Sequence, residues 1–93
     1  DAFHGRRTSS GQRFDMHRFT AAHRTLPFGT LLKVTNLRNG RSVLVTVNDR
    51  GPWGHGRIID LSKAAAREIG LVSMGVAKVS LAIMPKKLAT ALP

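Results

Sequence analysis

Two alternating, β-branched segments separated by Asn39-Gly40 constrain the fold of this chain more than any other feature. The segments are Thr30–Asn36 and Arg41–Asn48, and valine, leucine and threonine dominate both. Asn-Gly readily takes the positive φ values of a type I′ turn, so the pattern predicts a β-hairpin. The second segment carries apolar side chains on both faces. It is therefore expected to be covered on both sides, as in a small closed barrel.

A short helix and a further strand are predicted after the hairpin. Ser62–Ile69 favours a helix, with Ser62 as its N-cap and Gly70 ending it in a left-handed conformation. Val76–Met84 alternates in hydrophobicity and predicts the strand. The region before the hairpin is rich in turn signals and is expected to be mostly loop, with one short segment at Phe19–His23. These elements predict a mainly β protein.

Length and charge narrow the class of protein further. The 93 residues suit one domain, and 15 Lys+Arg against 5 Asp+Glu give a formal net charge of +10. Such a charge favours a polyanionic partner, of which nucleic acid, an anionic membrane and an acidic polysaccharide are examples. The absence of cysteine excludes disulfides and thiolate metal sites. No apolar run approaches the roughly 20 residues of a membrane-spanning helix.

Acidic residues are scarce, so each can be weighed by its position. Asp49 ends a strongly apolar strand, where partial desolvation would suit it to donate a proton. The alternative is a residue that only terminates the strand. Asp60 precedes the predicted helix and is expected to cap it, or to hold the preceding loop by backbone hydrogen bonds. Asp15 lies in a loop, where a surface role is expected.

His23 and the single tryptophan, Trp53, each have two interpretations. His23 either orients a substrate or carboxylate, or makes a structural hydrogen bond. Trp53, in a Gly/Pro-rich loop near Asp49, either stacks on a sugar ring or plugs the loop against the barrel. The spacing of His4, His17 and His55 is not typical of a metal site, so no metal and no cofactor is expected.

An ordered set of motifs resembles the rare lipoprotein A (RlpA) family. The matching segments are Gly5–Gly11, Phe19–Thr30, Val34–Leu37, Asn39–Ser42, Val47–Pro52 and Arg57–Ser62. They cover nearly the whole chain from residue 4 to 84. The resemblance implies a six-stranded double-psi β-barrel with one or two short helices, here lacking its first strand. Residues 1–84 would form this domain, and residues 85–93 a C-terminal tail or linker.

The same resemblance implies action on bacterial peptidoglycan. Some family members are lytic transglycosylases that cleave the MurNAc-β-1,4-GlcNAc bond of denuded, peptide-free glycan strands and leave 1,6-anhydroMurNAc ends. Members are lipoproteins on the periplasmic face of the outer membrane in Gram-negative bacteria. This chain is expected to carry no lipid anchor of its own, to be a monomer and not to bind nucleic acid.

The resemblance also implies roles for particular residues. Asp49 would be the acid/base group, with Gln12 and His23 beside it in the catalytic set. Family members commonly read Ser-Gly-Glu where this chain reads Ser10-Gly11-Gln12, so turnover is expected to be impaired while binding survives. The residues expected to bind substrate are Asp15, Arg13, Arg24, Asn48, Arg50, Trp53 and Asp60. The three arginines would pair with the lactyl carboxylates of muramic acid.

Three functions stay open on the sequence. The first is a lytic transglycosylase domain, with Asp60 as the alternative acid because related barrels use a carboxylate in that segment. The second is a non-catalytic, expansin-like peptidoglycan-binding module. The third, a nucleic-acid-binding barrel, is disfavoured because one tryptophan, no tyrosine and no aromatic-studded strand are available for base stacking.

Overall fold

The structure, a computed structural model, describes residues 4–54, 56–71 and 77–85. Within them the chain is mainly β, as predicted, with five strands and one short helix. The elements are β1 (Thr20–Ala22), β2 (Leu31–Asn36), β3 (Ser42–Asp49), β4 (Asp60–Leu61), α1 (Lys63–Glu68) and β5 (Val79–Ile83). In these ranges no helix is both long and apolar enough to cross a membrane.

All five strands belong to one sheet, whose order is β4-β1-β3-β2-β5. Strands β2 and β3 form the predicted antiparallel hairpin, in a register that pairs Thr35 with Ser42 and Leu31 with Thr46. Strand β1 runs parallel to β3, whereas the β1–β4 and β2–β5 pairs are antiparallel. This arrangement is consistent with a double-psi β-barrel. The sixth strand and the loss of the first strand stay predictions.

The turn of the hairpin differs from the predicted type I′ turn. A type I′ turn needs positive φ at both central residues, but among the described residues only glycines have positive φ. Gly40 has φ of 76°, and its N–H donates to the carbonyl of Asn36 at 2.8 Å. The loop therefore spans four residues between Asn36 and Arg41, and a loop of that length needs only one left-handed position.

Helix α1 confirms the predicted capping at both ends. The Ser62 hydroxyl accepts a hydrogen bond from the Ala65 N–H at 3.3 Å, which satisfies one of the free donors of the first turn. Gly70 takes a left-handed φ of 77° after the C-cap Ile69. The helix itself is one residue shorter at each end than predicted, because Ser62 and Ile69 serve as caps.

The segment predicted as loop before the hairpin contains strand β1. Its three residues are too few to show an alternating pattern. Strand β1 lies between β4 and β3 in the sheet, and its central residue Ala21 is only 3% exposed. The last strand, β5, is shorter than the predicted Val76–Met84, and Val76 lies outside the described residues. On β5, Leu81 packs on the core, but Ile83 is 65% exposed.

The core lies between the β2–β3 hairpin and helix α1. Its fully buried apolar side chains are Leu32, Val34, Val45, Val47, Ala65 and Ile69. On the other face of β3, Leu44 and Thr46 are half-buried, so that face is only partly covered. Asn36 is also fully buried, and its amide donates to the Ile69 carbonyl at 2.8 Å, which ties the hairpin to the end of the helix.

Truncating Leu32 should weaken the fold strongly. Leu32→Ala removes a side chain that is 0% exposed and leaves a cavity, so we expect the free energy of unfolding to fall by about 2–5 kcal/mol. Leu37→Ala is the matched control, because Leu37 is 59% exposed and its loss should change stability by less than about 0.5 kcal/mol. Urea unfolding of both variants measures the difference. Equal losses would contradict this description of the core.

Candidate active site at the end of strand β3

The parallel pairing of β1 and β3 is irregular where β3 ends. Ala21 pairs with Val47 but Ala22 pairs with Asp49, so Asn48 is an extra residue on β3. A bulge of this kind changes the direction of the side chains that follow it. Asn48 is buried and Asp49 is half-buried, so the predicted acid lies at the boundary between core and solvent.

One oxygen of the Asp49 carboxylate is fixed by backbone donors. Its Oδ1 accepts hydrogen bonds from the N–H groups of Ser9 and Arg50, both at 2.8 Å. Among residues 4–54, 56–71 and 77–85, Oδ2 receives no hydrogen bond. The side chain is therefore oriented through one oxygen, and the other remains available to a ligand.

The Ser9 donor belongs to an N-terminal hairpin, which we define as residues 5–14. Its ends are joined by a hydrogen bond from the Gly5 N–H to the Phe14 carbonyl at 2.8 Å, and a bridge pairs Arg7 with Arg13. Its tip reaches the end of β3, where the Gln12 side-chain oxygen accepts a hydrogen bond from the Asn48 amide at 3.3 Å. The predicted catalytic residue Gln12 thus lies beside the β3 bulge.

A cavity of about 540 Å³ connects the N-terminal hairpin with β1, β3 and β4. Its lining residues are Arg6, Arg7, Thr8, Phe14, Thr20, Ala21, Ala22, Asn48, Asp49, Asp60, Leu61 and Ser62. The structure therefore brings the two suspected acids, Asp49 and Asp60, to one cavity. The sequence predicts no role in the site for Arg6, Arg7 and Thr8, which belong to the Gly5–Gly11 motif.

Asp60 does not cap helix α1, because the Ser62 hydroxyl already occupies that position. Its carboxylate instead pairs with the Arg57 guanidinium at 2.8 Å, and the two side chains are 55% and 46% exposed. Asp60 also lines a second, larger cavity of about 590 Å³, and the other described residues of its lining include no acid and no histidine. Among the residues that the structure describes, the smaller cavity combines two carboxylates and the larger has one, so the smaller is the better candidate for acid/base chemistry.

His23 supports the site through its hydrogen bonds. Its Nδ1 accepts from the N–H groups of Thr25 and Leu26, both at 3.2 Å, so the proton of the neutral ring lies on Nε2. Its own backbone N–H donates to the Asp49 carbonyl at 3.2 Å. His23 does not line the cavity, and its role in the catalytic set stays a prediction.

The arginines expected to bind substrate donate to backbone carbonyls. Arg50 donates to the carbonyls of His23 and Leu26 at 3.2 and 2.7 Å. Its guanidinium carbon also lies 4.1 Å from the centre of the Phe28 ring. Arg24 donates to Pro52 and Gly54 at 2.7 and 2.9 Å. Arg13 similarly donates to Gly5 at 3.0 Å. These side chains stabilise the loops around the site, and their roles in substrate binding stay predictions.

Trp53 and Asp15 lie outside the lining of the Asp49 cavity. Trp53 is 75% exposed, so its interpretation as a loop plug is wrong. Arg24 holds the backbone on either side of it. Asp15 lies close to His4, with 4.0 Å between Asp15 Oδ1 and His4 Nδ1, and accepts a hydrogen bond from the His17 N–H at 2.9 Å.

A family model described as lytic transglycolase matches residues 1–81 of this chain. The chain therefore belongs to that family. Its matched residues include most of the sheet, the bulged end of β3 and the two carboxylates of the smaller cavity.

Curated relatives identify the family more closely. An 82-residue stretch, 88% of the chain, is 65% identical to a protein of Synechocystis sp. named probable endolytic peptidoglycan transglycosylase RlpA. Over 79 residues, 85% of the chain, it is 58% identical to the endolytic peptidoglycan transglycosylase RlpA of Neisseria meningitidis. The resemblance to the RlpA family is therefore confirmed. The match covers 26% and 33% of these relatives' own lengths.

Replacing Arg50 by lysine should destabilise the loops around the site. Lysine keeps the positive charge but not the planar group that reaches two carbonyls and stacks on Phe28, so we expect a loss of about 1.5–3 kcal/mol. Arg38→Lys is the matched control, because Arg38 is exposed in the β2–β3 loop. Thermal and urea unfolding measure both variants, and an unchanged Arg50→Lys protein would show that its contacts contribute little.

Proposed function

We propose that this domain cleaves peptidoglycan glycan strands as an endolytic transglycosylase, with Asp49 as the acid/base group. The observation that supports this most directly is the Asp49 carboxylate itself. Two backbone N–H groups donate to Oδ1, whereas Oδ2 receives no hydrogen bond from the described residues. The Asp49 side chain lines a cavity of about 540 Å³. A fixed carboxylate with one free oxygen suits proton transfer to a bound substrate. The relatives are named endolytic transglycosylases, and this name supports internal cleavage of the strand.

In the proposed reaction Asp49 acts first as acid and then as base. Protonated Asp49 donates its proton to the oxygen of the MurNAc-β-1,4-GlcNAc bond as the bond from that oxygen to C1 breaks. The C6 hydroxyl of the same muramyl unit attacks C1, and Asp49 takes up the proton of that hydroxyl. The products are a free 4-hydroxyl and a 1,6-anhydroMurNAc end. Water is not consumed, and Asp49 returns to its initial protonated state.

The proposed substrate is a glycan strand without stem peptides. The lactyl groups of such a strand carry free carboxylates, which makes it a polyanion attracted to a domain of net charge +10. Arg6 and Arg7 line the cavity, so they are the cations best placed to meet these carboxylates. The exposed Trp53 ring offers a surface on which a sugar can stack. The resemblance to the RlpA family supports the proposal that the whole protein is a lipoprotein at the periplasmic face of the outer membrane.

Gln12 is proposed to limit turnover in this chain. It contacts Asn48, the residue before Asp49, but its carboxamide cannot transfer a proton. A glutamate at this position would add a third carboxylate near the β3 bulge. Because the Gln12 carboxamide cannot transfer a proton, a second candidate function is a module that binds glycan without cleaving it.

Gln12→Glu should raise cleavage of denuded glycan strands. We expect 1,6-anhydro products, measured by mass spectrometry, to increase by about 100-fold or more, the usual contribution of a positioned acid or base. Gln12→Met is the matched control, since it has a similar size and no proton to transfer, and it should give no increase. If the native chain and Gln12→Glu both bind glycan but yield no product at high protein concentration, the binding module is the correct function.

Asp49→Asn should abolish the activity of the Gln12→Glu protein. Asparagine keeps an oxygen for the Ser9 and Arg50 N–H groups but loses the transferable proton, so we expect a loss of about 100- to 10,000-fold with little change in stability. Asp60→Asn is the matched control at the same cavity and should cost less than about tenfold. The reverse ranking, with both variants folded by circular dichroism, would assign the acid role to Asp60.

A further inference from the structure

The structure brings two histidines and an aspartate together at the base of the N-terminal hairpin. One ligand atom from each of His4, Asp15 and His17 lies within 4.8 Å of the others. The rings of His4 and His17 meet edge to face, with 5.5 Å between their centres. These residues do not line the Asp49 cavity, and the proposed reaction does not use them.

We propose that His4, Asp15 and His17 form a binding site for a divalent transition-metal ion of the zinc class. Two imidazoles and one carboxylate are a common ligand set for such ions, with water completing the coordination. Oxygen-preferring ions such as Ca²⁺ and Mg²⁺ require more carboxylate or carbonyl ligands than this cluster offers.

The geometry of the cluster suits ligation after small side-chain movements. His4 Nδ1 accepts a hydrogen bond from the Met16 N–H at 3.3 Å, so a metal ion bound at Nδ1 would take the place of this N–H donor. It lies 4.0 Å from Asp15 Oδ1. Ligands of a tetrahedral zinc ion, with bonds of about 2.0–2.1 Å, are about 3.3 Å apart. His4 and Asp15 are 45% and 43% exposed, so their side chains have room to close that gap.

The Asp15 carboxylate is already oriented for this role. Its Oδ1 accepts a hydrogen bond from the His17 N–H at 2.9 Å, which places the acid and the second histidine in one tight turn. A hydrogen bond of this kind acts as support for a metal ligand. Arg13, two residues before Asp15, donates to the Gly5 carbonyl at 3.0 Å.

A bound ion would clamp the two ends of the N-terminal hairpin. His4 precedes the first residue of that hairpin, and Asp15 follows the last, so the ion would join the two chain segments directly. The tip of the same hairpin supplies the Ser9 N–H to Asp49 and the Gln12 contact to Asn48. The metal is thus proposed to order the base of the element that holds the acid, without contacting substrate.

Binding of Zn²⁺ to the whole chain tests the proposal directly. We expect calorimetry to show saturable binding of one ion per chain, with Ca²⁺ and Mg²⁺ giving none. Asp15→Asn and His17→Gln should each weaken binding by about tenfold or more. His23→Gln is the matched control, a histidine outside the cluster, and should bind like the native chain. Absence of saturable binding, persistence in the His17→Gln protein or an equal loss in His23→Gln would overturn the site.

Amide hydrogen exchange tests the clamp separately. With Zn²⁺ present, the Gly5 amide, which closes the hairpin by its bond to Phe14, should exchange more slowly in the native chain and at an unchanged rate in His17→Gln. Circular dichroism before the measurement confirms that both proteins are folded. Binding without slower exchange would overturn the clamping role. Because neither readout involves cleavage, failure here leaves the proposed transglycosylase function untouched.

Discussion

The anchoring of the Asp49 carboxylate is the interaction on which the function proposed for this domain depends. An extra residue in β3 turns the side chain away from the regular alternation, and two backbone N–H groups then fix one of its oxygens. Intramolecular hydrogen bonds contribute about 0.5–1.5 kcal/mol each, so the two together offset much of the rotamer freedom that the side chain loses. The same acid without these donors would have no preferred orientation toward a sugar.

Local sequence signals predicted much of the fold. The hairpin followed from alternation and Asn-Gly, and the ends of α1 followed from Ser62 and Gly70, because strand pattern and helix caps depend on residues close in sequence. The position of Asp49 at the end of an apolar strand also followed from local sequence, whereas its role as the acid stays a prediction. The motif order gave the family, which the comparisons confirm.

Features that depend on pairing between distant segments could not be predicted. Strand β1 has only three residues, and its parallel partner lies more than twenty residues further on. Arginines near an acid are predicted to bind substrate. In the structure, however, Arg24 and Arg50 donate to backbone carbonyls of loops that are distant from them in the sequence. The spacing of His4, His17 and His55 is not typical of a metal site, but the folded hairpin brings His4 close to His17 and to Asp15.

The wide sequence separation of the contacts around the bulge has a consequence for folding. Ser9 and Asp49 are 40 residues apart, and the hydroxyl of Ser62 bonds the carbonyl of Arg18 across 44. Closing such large chain loops lowers the conformational entropy, and only the contacts of the complete sheet offset this loss. A short fragment therefore cannot hold this geometry. An unfolded chain would therefore contain every side chain of the candidate site and still be unable to cleave the glycan strand that is its proposed substrate.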